Sequence, residues 1–293
     1  MRLLACLLAL IMLPAAAQQG GYESRQDVRA FIDELADRHG FVPGELARLF
    51  SRVRRSDPVL QAIVPPPPTE RIWTDYRANF VNERRIAGGV AFWKANARAL
   101  ERAASDYGVP PQIIVAIIGV ETLYGRNMGR FRVVDALTTL AFDYPPRSAF
   151  FRSELEQYLL LARELGLDVF AVRGSYAGAI GIPQFMPGSA RRWAVDFDGD
   201  GAIDLRGNPV DAVGSVANFL KQHGWRAAEP IHLPVEEATP EKMQGKAEII
   251  DLGSERRFGL HNFYVLTRYN RSHFYAAAVT DLAEAIRSAR ATR

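Results

Sequence analysis

Val109–Gly125, VPPQIIVAIIGVETLYG, constrains this chain more than any other stretch. Pro110 and Pro111 suit a helix start, where missing backbone N–H groups have no helical partner to lose. From Ile113 to Val120 the run is apolar with no amphipathic stripe, so protein must cover the helix on nearly every side. Gly125 supplies a left-handed stop after the last turn. A fold that satisfies this stretch needs enough helices to wrap one apolar rod. Against that background Glu121 is anomalous, because carboxylates are almost never fully buried without a partner. Burial and the negative end of the helix dipole both raise its pKa. A carboxylic acid that keeps its proton near neutral pH is what a general acid needs. The plainer reading is a glutamate at the core edge paired with Arg126 or Arg130, and the segment alone leaves both open.

The amino terminus reads as a leader rather than as fold. Met1-Arg2 is a minimal basic start, Leu3–Leu13 an apolar run, and Pro14-Ala15-Ala16-Ala17 an A-x-A cleavage site. Residues 1–17 are therefore expected to be a secretory signal peptide, cut between Ala17 and Gln18. The apolar run falls short of the about 20 residues that span a bilayer. Leu3-Leu4-Ala5-Cys6 resembles a lipoprotein box only superficially, since the apolar core follows Cys6. Cys6 is the sole cysteine, so the mature chain has no disulfide and stands on its core. About 275 residues suffice for one large domain or two smaller ones. The net charge of +3 is too mild to argue for nucleic acid. No later stretch approaches membrane length, so the expected product is exported, periplasmic and soluble after cleavage.

Along the mature chain, helical spacing dominates. Val28, Phe31, Ile32 and Leu35 form one stripe, Gly40 breaks it, and Pro43–Arg54 resumes it with Leu46, Leu49 and Phe50. Pro65–Pro68 must be extended and stiff, a strap between these helices and the rest. Ile72–Tyr107, Val133–Ala141, Ala149–Leu165 and Pro209–His223 are again helical, the last capped by Asn208 and stopped by Gly224. Gly174–Pro187, GSYAGAIGIPQFMP, differs in kind: Gly174, Gly178 and Gly181 mark a loop that turns tightly or approaches something closely. Between Glu229 and Thr267, Pro230–Val235 and Glu248–Leu252 carry β-formers, and Gly253-Ser254-Glu255 suits a hairpin turn. Phe274–Ala289 closes the chain as a helix.

Asp196–Asp211, DFDGDGAIDLRGNPVD, is the most specific local signal. Asp196, Asp198 and Asp200 alternate, Gly201 makes the sharp turn, Ile203 is apolar, and the carbonyl of Ala202 falls in the seventh place of an EF-hand calcium loop. The departure is Gly207, which stands where the closing glutamate belongs. Asp211 lies four residues beyond and is expected to supply the closing carboxylate from an expanded loop. A single loop without a paired partner implies a structural calcium ion, clamping loop and helix.

His39, His223, His232, His261 and His273 show no metal-ligand spacing. There is no Gly-x-Ser-x-Gly elbow and no thiol in the mature chain. Bond cleavage would have to run on carboxylates.

Glu121-Thr-Leu-Tyr-Gly125, then Gly174–Pro187 with Ile182-Pro183-Gln184-Phe185-Met186-Pro187, then Arg268-Tyr269-Asn270 resemble the three motifs of lysozyme-like lytic transglycosylases. The acidic loop and Trp73-Thr-Asp-Tyr76 narrow the resemblance to the lytic murein transglycosylase B family, over Gln26 to Ala289. It implies a mainly α (α+β) fold with a lysozyme-like core. The expected divisions are an N-terminal helical subdomain with the proline strap (18–100), the core with its EF-hand-like loop (101–228, loop 196–211), a small β insertion (229–267), and a C-terminal strand and helix (268–293). It also implies cleavage of the β-1,4 bond between N-acetylmuramic acid and N-acetylglucosamine, leaving 1,6-anhydromuramoyl ends. In the family one glutamate serves as acid and then base, and Glu121 matches it. Ser175, Gln184, Tyr269 and Asn270 match sugar-binding and cleft positions, and Tyr76 and Arg147 match groove positions. The metal set is Asp196, Asp198, Asp200, Ala202 and Asp211, with peptidoglycan strands as the partner and no organic cofactor.

A lone acid is consistent with such chemistry. Glycosidases that use water or a carboxylate nucleophile need a second acid about 5 to 9.5 Å away, whereas a lytic enzyme can use the substrate's own acetamide and 6-hydroxyl. Two alternatives stay open at this point. A hydrolytic muramidase needs Asp135 or Asp143 to face Glu121. A peptidoglycan-binding scaffold needs no acid at all.

Overall fold

A computed structural model describes residues 21–64, 72–237 and 247–292. The expected leader at 1–17 and the strap at Pro65–Pro68 lie outside the described residues. The contacts divide the chain into two units, one ending at Arg54 and one beginning at Arg55. In the second unit the helices between 83 and 107 pack on the long apolar helix and share its core.

In the first unit, α1 (Gln26–His39) and α2 (Pro43–Arg52) pack against each other. Val28, Phe31, Ile32 and Leu35 meet Leu46 and Phe50, all buried, with Phe31 and Phe50 edge to face at 6.2 Å. Gly40 takes the left-handed cap expected of it, φ 65°.

The second unit is built around the apolar helix. After α3 (Asp57–Ile63), α4 (Trp73–Phe80), α5 (Glu83–Ala95) and α6 (Ala97–Tyr107), that helix is α7, Pro111–Thr122. Every residue from Ile113 to Val120 is buried. Each of its four isoleucines stabilises the fold by about 1.5–3 kcal/mol relative to exposure. α7 contacts α5 and α6, α11 (Pro209–Gln222) and α13 (His273–Ala291), which together cover all its sides. α8 (Val133–Asp143) packs on α9 (Ser148–Glu164), and α10 (Pro187–Trp193) on α9 and α11.

Two small antiparallel sheets complete the unit. β1 (Phe131–Arg132) pairs with β2 (Arg173–Gly174), joining the chain just after α7 to the glycine loop. The other sheet has the order β3–β5–β4, from His232–Pro234, Arg256–Gly259 and Glu248–Asp251. Its β4–β5 turn falls at Gly253, φ 85°, as the sequence indicates. Arg257 of β5 ties this sheet to α13 through Asp281 at 2.5 Å, and Arg77 of α4 reaches the same carboxylate at 2.6 Å.

The β region ends earlier than the sequence suggests. Residues 261–269 form α12 (His261–Tyr269), not strand, so Arg268 and Tyr269 finish a helix. Phe263, Tyr264, Val265 and Thr267 are individually β-formers. Burial of Asn262, Phe263, Val265 and Leu266 on one helical face overrides that preference. No single helix among the described residues is long and apolar enough to cross a membrane.

Candidate active site

α7 does not end at Gly125. It stops at Thr122, and Leu123, Tyr124 and Gly125 all have positive φ, 51°, 62° and 82°. Non-glycine residues in this region are strained and persist only where their surroundings over-determine them. Here Tyr124 is that surrounding. Its ring lies where Cβ atoms on Gly88 and Gly119 would each come within 2.7 Å, and its hydroxyl donates to the carbonyl of Arg85 at 2.6 Å. Thr122 Oγ1 holds the other side, donating to the Ile182 carbonyl at 2.8 Å and accepting from Gly125 N at 3.0 Å. The turn is thus wedged between α5 and the glycine loop, with Glu121 at its entrance.

Glu121 forms no ion pair with Arg126, Arg130 or any other cation among the described residues, so the plainer reading of the sequence is set aside. Its partner is Tyr275 of α13, whose hydroxyl donates to Glu121 Oε1 at 2.7 Å. Burial pushes the Glu121 pKa up to about 7, and the Tyr275 hydrogen bond only partly opposes it. Tyr275 itself lies far above the usual tyrosine range, through burial and the adjacent Glu121 charge, and stays a donor. Tyr269 stacks behind it at 6.4 Å and 13° and donates to the Pro183 carbonyl at 2.7 Å.

Glu121 opens into a cleft of about 530 Å³, bounded by residues 126–131 on one side and by Ser175, Tyr176 and Gln184 on the other. Ser175 Oγ accepts from Ala177 N at 3.3 Å and Ala179 N at 3.0 Å, which uses its lone pairs and leaves its proton to donate. Gln184, at φ 52°, donates through Nε2 to the carbonyls of Met128 and Gly181 at 3.2 and 2.8 Å, leaving Oε1 as an acceptor. Ser175 and Gln184 therefore present one donor and one acceptor to the cleft.

Of the residues singled out in sequence, Glu121, Ser175 and Gln184 share this cleft. Tyr269 backs it. Tyr76 joins Trp73, Phe80 and Phe274 in an aromatic cluster close enough to influence Tyr275. Asn270 is exposed at the end of α12, and Arg147 is exposed with its guanidinium 4.3 Å over the Phe150 ring; neither lines the cleft. Asp135 is held by Arg132 at 2.6 Å and Asp143 lies 3.5 Å from Arg55, and neither lines the Glu121 cleft. Sequence reasoning missed Tyr275, Tyr176 and Asn127. Tyr275 carries no local signal, since it sits 154 residues from its partner in an ordinary helix. Arg126 and Arg130, which the sequence offers as partners for Glu121, stand on the cleft wall instead.

The acidic stretch folds into a tight loop before α11. Oxygens of Asp196, Asp198 and Asp211 converge within 4.8 Å of one another. Asp211 is fully buried and accepts from Phe197 N and Asp204 N, both at 2.8 Å. Burial raises its pKa, and the neighbouring Asp198 and Asp196 charges raise it further. Asp200 is exposed, accepts from Ala202 N at 2.8 Å and is not among the three carboxylates that converge. Asn208 donates to Asp198 Oδ2 at 2.8 Å while its Oδ1 caps α11. The longer interval before Asp211 does not prevent convergence. Three carboxylates so close, with no cationic side chain among them, suit a divalent cation with oxygen ligands.

The chain is similar to known proteins over most of its length. The profile of the Transglycosylase SLT domain family matches residues 23–251 and 240–284. The membrane-bound lytic murein transglycosylase B of Escherichia coli K12 is 40% identical over 93% of this chain and 86% of its own. The crystal structure of catenated lytic transglycosylase SltB1 from Pseudomonas aeruginosa superposes with a TM-score of 0.84 at 43% identity, covering 92% of this chain and 99% of that one. The Escherichia coli lytic transglycosylase Slt35 in complex with calcium superposes with a TM-score of 0.80 at 40% identity, covering 90% and 93%.

Proposed function

Because this chain belongs to the Transglycosylase SLT domain family and is a lytic transglycosylase acting on peptidoglycan, we propose that Glu121 carries the reaction alone, first as acid and then as base. The observation that carries this reading is a single carboxyl in the glycan cleft, raised to about 7 and partnered by a tyrosine hydroxyl rather than by a second acid. At neutral pH a large share of Glu121 is protonated. It gives that proton to the glycosidic oxygen between N-acetylmuramic acid and N-acetylglucosamine as the C–O bond breaks. The carboxylate left behind, stabilised by Tyr275, then takes the proton of the muramoyl 6-hydroxyl as that oxygen closes on the anomeric carbon. A 1,6-anhydromuramoyl end forms, Glu121 is protonated again, and no water is consumed. Ser175 and Gln184 supply a donor and an acceptor for the sugar acetamide and neighbouring hydroxyls. Tyr269 supports Tyr275 from behind, while Asn270, Tyr76 and Arg147 serve more distant parts of the strand.

The acidic loop is EF-hand-like in this reading. Asp196, Asp198, Asp200, the Ala202 carbonyl and Asp211 would hold a calcium ion, whose charge offsets the converging carboxylates and fastens the loop to α11. The relative solved with calcium supports the choice of ion. The leader pattern at 1–17 supports export to the periplasm, where the substrate lies.

The test is digestion of purified sacculi with the mature chain, weighing products by mass spectrometry. Anhydro ends, abolished by Glu121→Gln, are expected. Reducing ends would favour the muramidase, and activity surviving in Glu121→Gln would overturn the role of Glu121.

A further inference from the structure

We propose that Arg126 and Arg130 select glycan strands whose muramoyl residues carry peptide stems, by pairing with the free carboxylates of those stems. The proposal rests on the Glu121 cleft being the glycan site. Both arginines lie on the cleft wall, in the loop that follows the left-handed turn.

That loop is fastened by its backbone while its charged heads stay open. Asn127 N donates to the Thr122 carbonyl at 2.9 Å, Gln184 Nε2 to that of Met128 at 3.2 Å, and Arg173 Nη1 to that of Arg130 at 2.8 Å. Gly129, at φ 92°, passes so near Gly174 that a Cβ would lie 2.1 Å from its carbonyl, so the loop cannot lift without breaking these tethers. Yet Arg126 and Arg130 are exposed and have no carboxylate partner among the described residues. Arg130 is steered by the Phe131 ring at 5.6 Å, which restricts it without neutralising it. The contrast with Arg132 is instructive, since that residue is closed off by Asp135 in a two-pronged pair at 2.6 and 3.0 Å.

These charges have no use inside the site as described. Burial and Tyr275 account for the shift at Glu121, and no arginine contributes to it. Were a guanidinium seated against Glu121, it would strip the proton the acid needs. Nor does the sugar backbone require them, because N-acetylated hexoses are neutral. The anionic groups on this substrate are the carboxylates of stems attached at the muramoyl lactyl group. Planar guanidinium forks bind carboxylates two-pronged. Two unpaired forks on a fixed wall, facing a neutral chain with acidic side branches, fit those branches.

The experiment compares the mature chain with Arg126→Gln, Arg130→Gln and the double variant. The substrates are stem-bearing strands, strands stripped of stems by an amidase, and strands whose stem carboxylates are chemically amidated. The quantity read is the ratio of kcat/KM on stem-bearing to stripped strands. We expect the parent to favour stem-bearing strands, mainly through KM, and each substitution to shrink the ratio by about tenfold or less, the scale of one charge-assisted contact. Amidated stems should behave as stripped ones, and salt should shrink the parent's ratio. A parent ratio of one, or a ratio that the double variant retains, would overturn the proposal. Calorimetric binding of the same three strands in a Glu121→Gln background reads the selection without chemistry. If the parent makes no anhydro ends from any strand, the catalytic reading fails, and the binding ratio still decides the role of the arginines.

Discussion

Glu121 and Asp211 are both buried or nearly buried carboxyls, both sit at ends of long helices, and burial raises both pKa values. Their surroundings then separate them. Glu121 receives one hydroxyl hydrogen bond and faces an open cleft with no other acid on its walls. Asp211 receives two backbone N–H groups and faces Asp196 and Asp198. The first arrangement favours a proton that can leave and return. The second holds a carboxylate in place and gathers negative charge that a cation relieves. A raised pKa alone therefore names neither role, and the neighbours do.

The largest effect that would break this contrast is on turnover. Glu121→Gln should lower release of anhydro products by about a thousandfold or more, within the range ascribed to general acid–base groups, as quantified by mass spectrometry. The same substitution should leave the chain folded.

Stability against pH sharpens the contrast next. The Glu121 pKa is raised in the fold, from 4.5 to about 7, so the folded chain binds the extra proton. Its contribution is most favourable below pH 4.5, shrinks as pH rises, and is lost above pH 7. The difference is up to roughly 3 kcal/mol, reduced by the open face of the group. Urea unfolding at pH 5 and pH 8 should show this slope in the parent and a flatter one in Glu121→Gln.

Asp211→Ala should cost about 2 to 4 kcal/mol, because two backbone donors lose their acceptor. It should also abolish the rise in melting temperature on adding calcium, which scales with the logarithm of free ion over Kd. Asp211→Asn keeps one acceptor oxygen and should lose the calcium response with a smaller fall in stability. A parent whose melting temperature ignores both calcium and chelator would remove the ion from the account.

The smallest effect is the most diagnostic of Tyr275. Its hydrogen bond lowers the Glu121 pKa, so Tyr275→Phe should move the alkaline limb of kcat/KM to higher pH. It should also reduce kcat about fivefold, the scale of one hydrogen bond. A loss of activity with the limb unmoved would make Tyr275 a packing residue.

Much of this molecule was readable in one dimension. The α1 stripe, the Gly40 break, the Asn208 cap and the acidic loop are local patterns, and the structure follows them. Two features departed from the reading for identifiable reasons. The α7 stop falls on Leu123 because Tyr124 is wedged against glycines of α5, a contact that spans more than thirty positions. Residues 261–269 are helical because burial of one face outweighs their individual strand preferences. Asn270 and Arg147, matched to cleft and groove positions by resemblance, lie outside the lining of the Glu121 cleft, and a position in the chain does not by itself fix where a side chain points.

Sequence alone determined that one helix must be wrapped, that a carboxyl would be stranded at its end, and that acids would cluster before α11. These follow from periodicity and composition, which act over a turn or two of chain. Tertiary structure decided what the stranded carboxyl would meet: a tyrosine from the last helix in place of an arginine or a second acid. It likewise decided that Arg126 and Arg130 would stand open while Arg132 is closed. Hydrogen-bond partners of a buried group come from segments far apart in the chain, and no local pattern records which segments will meet.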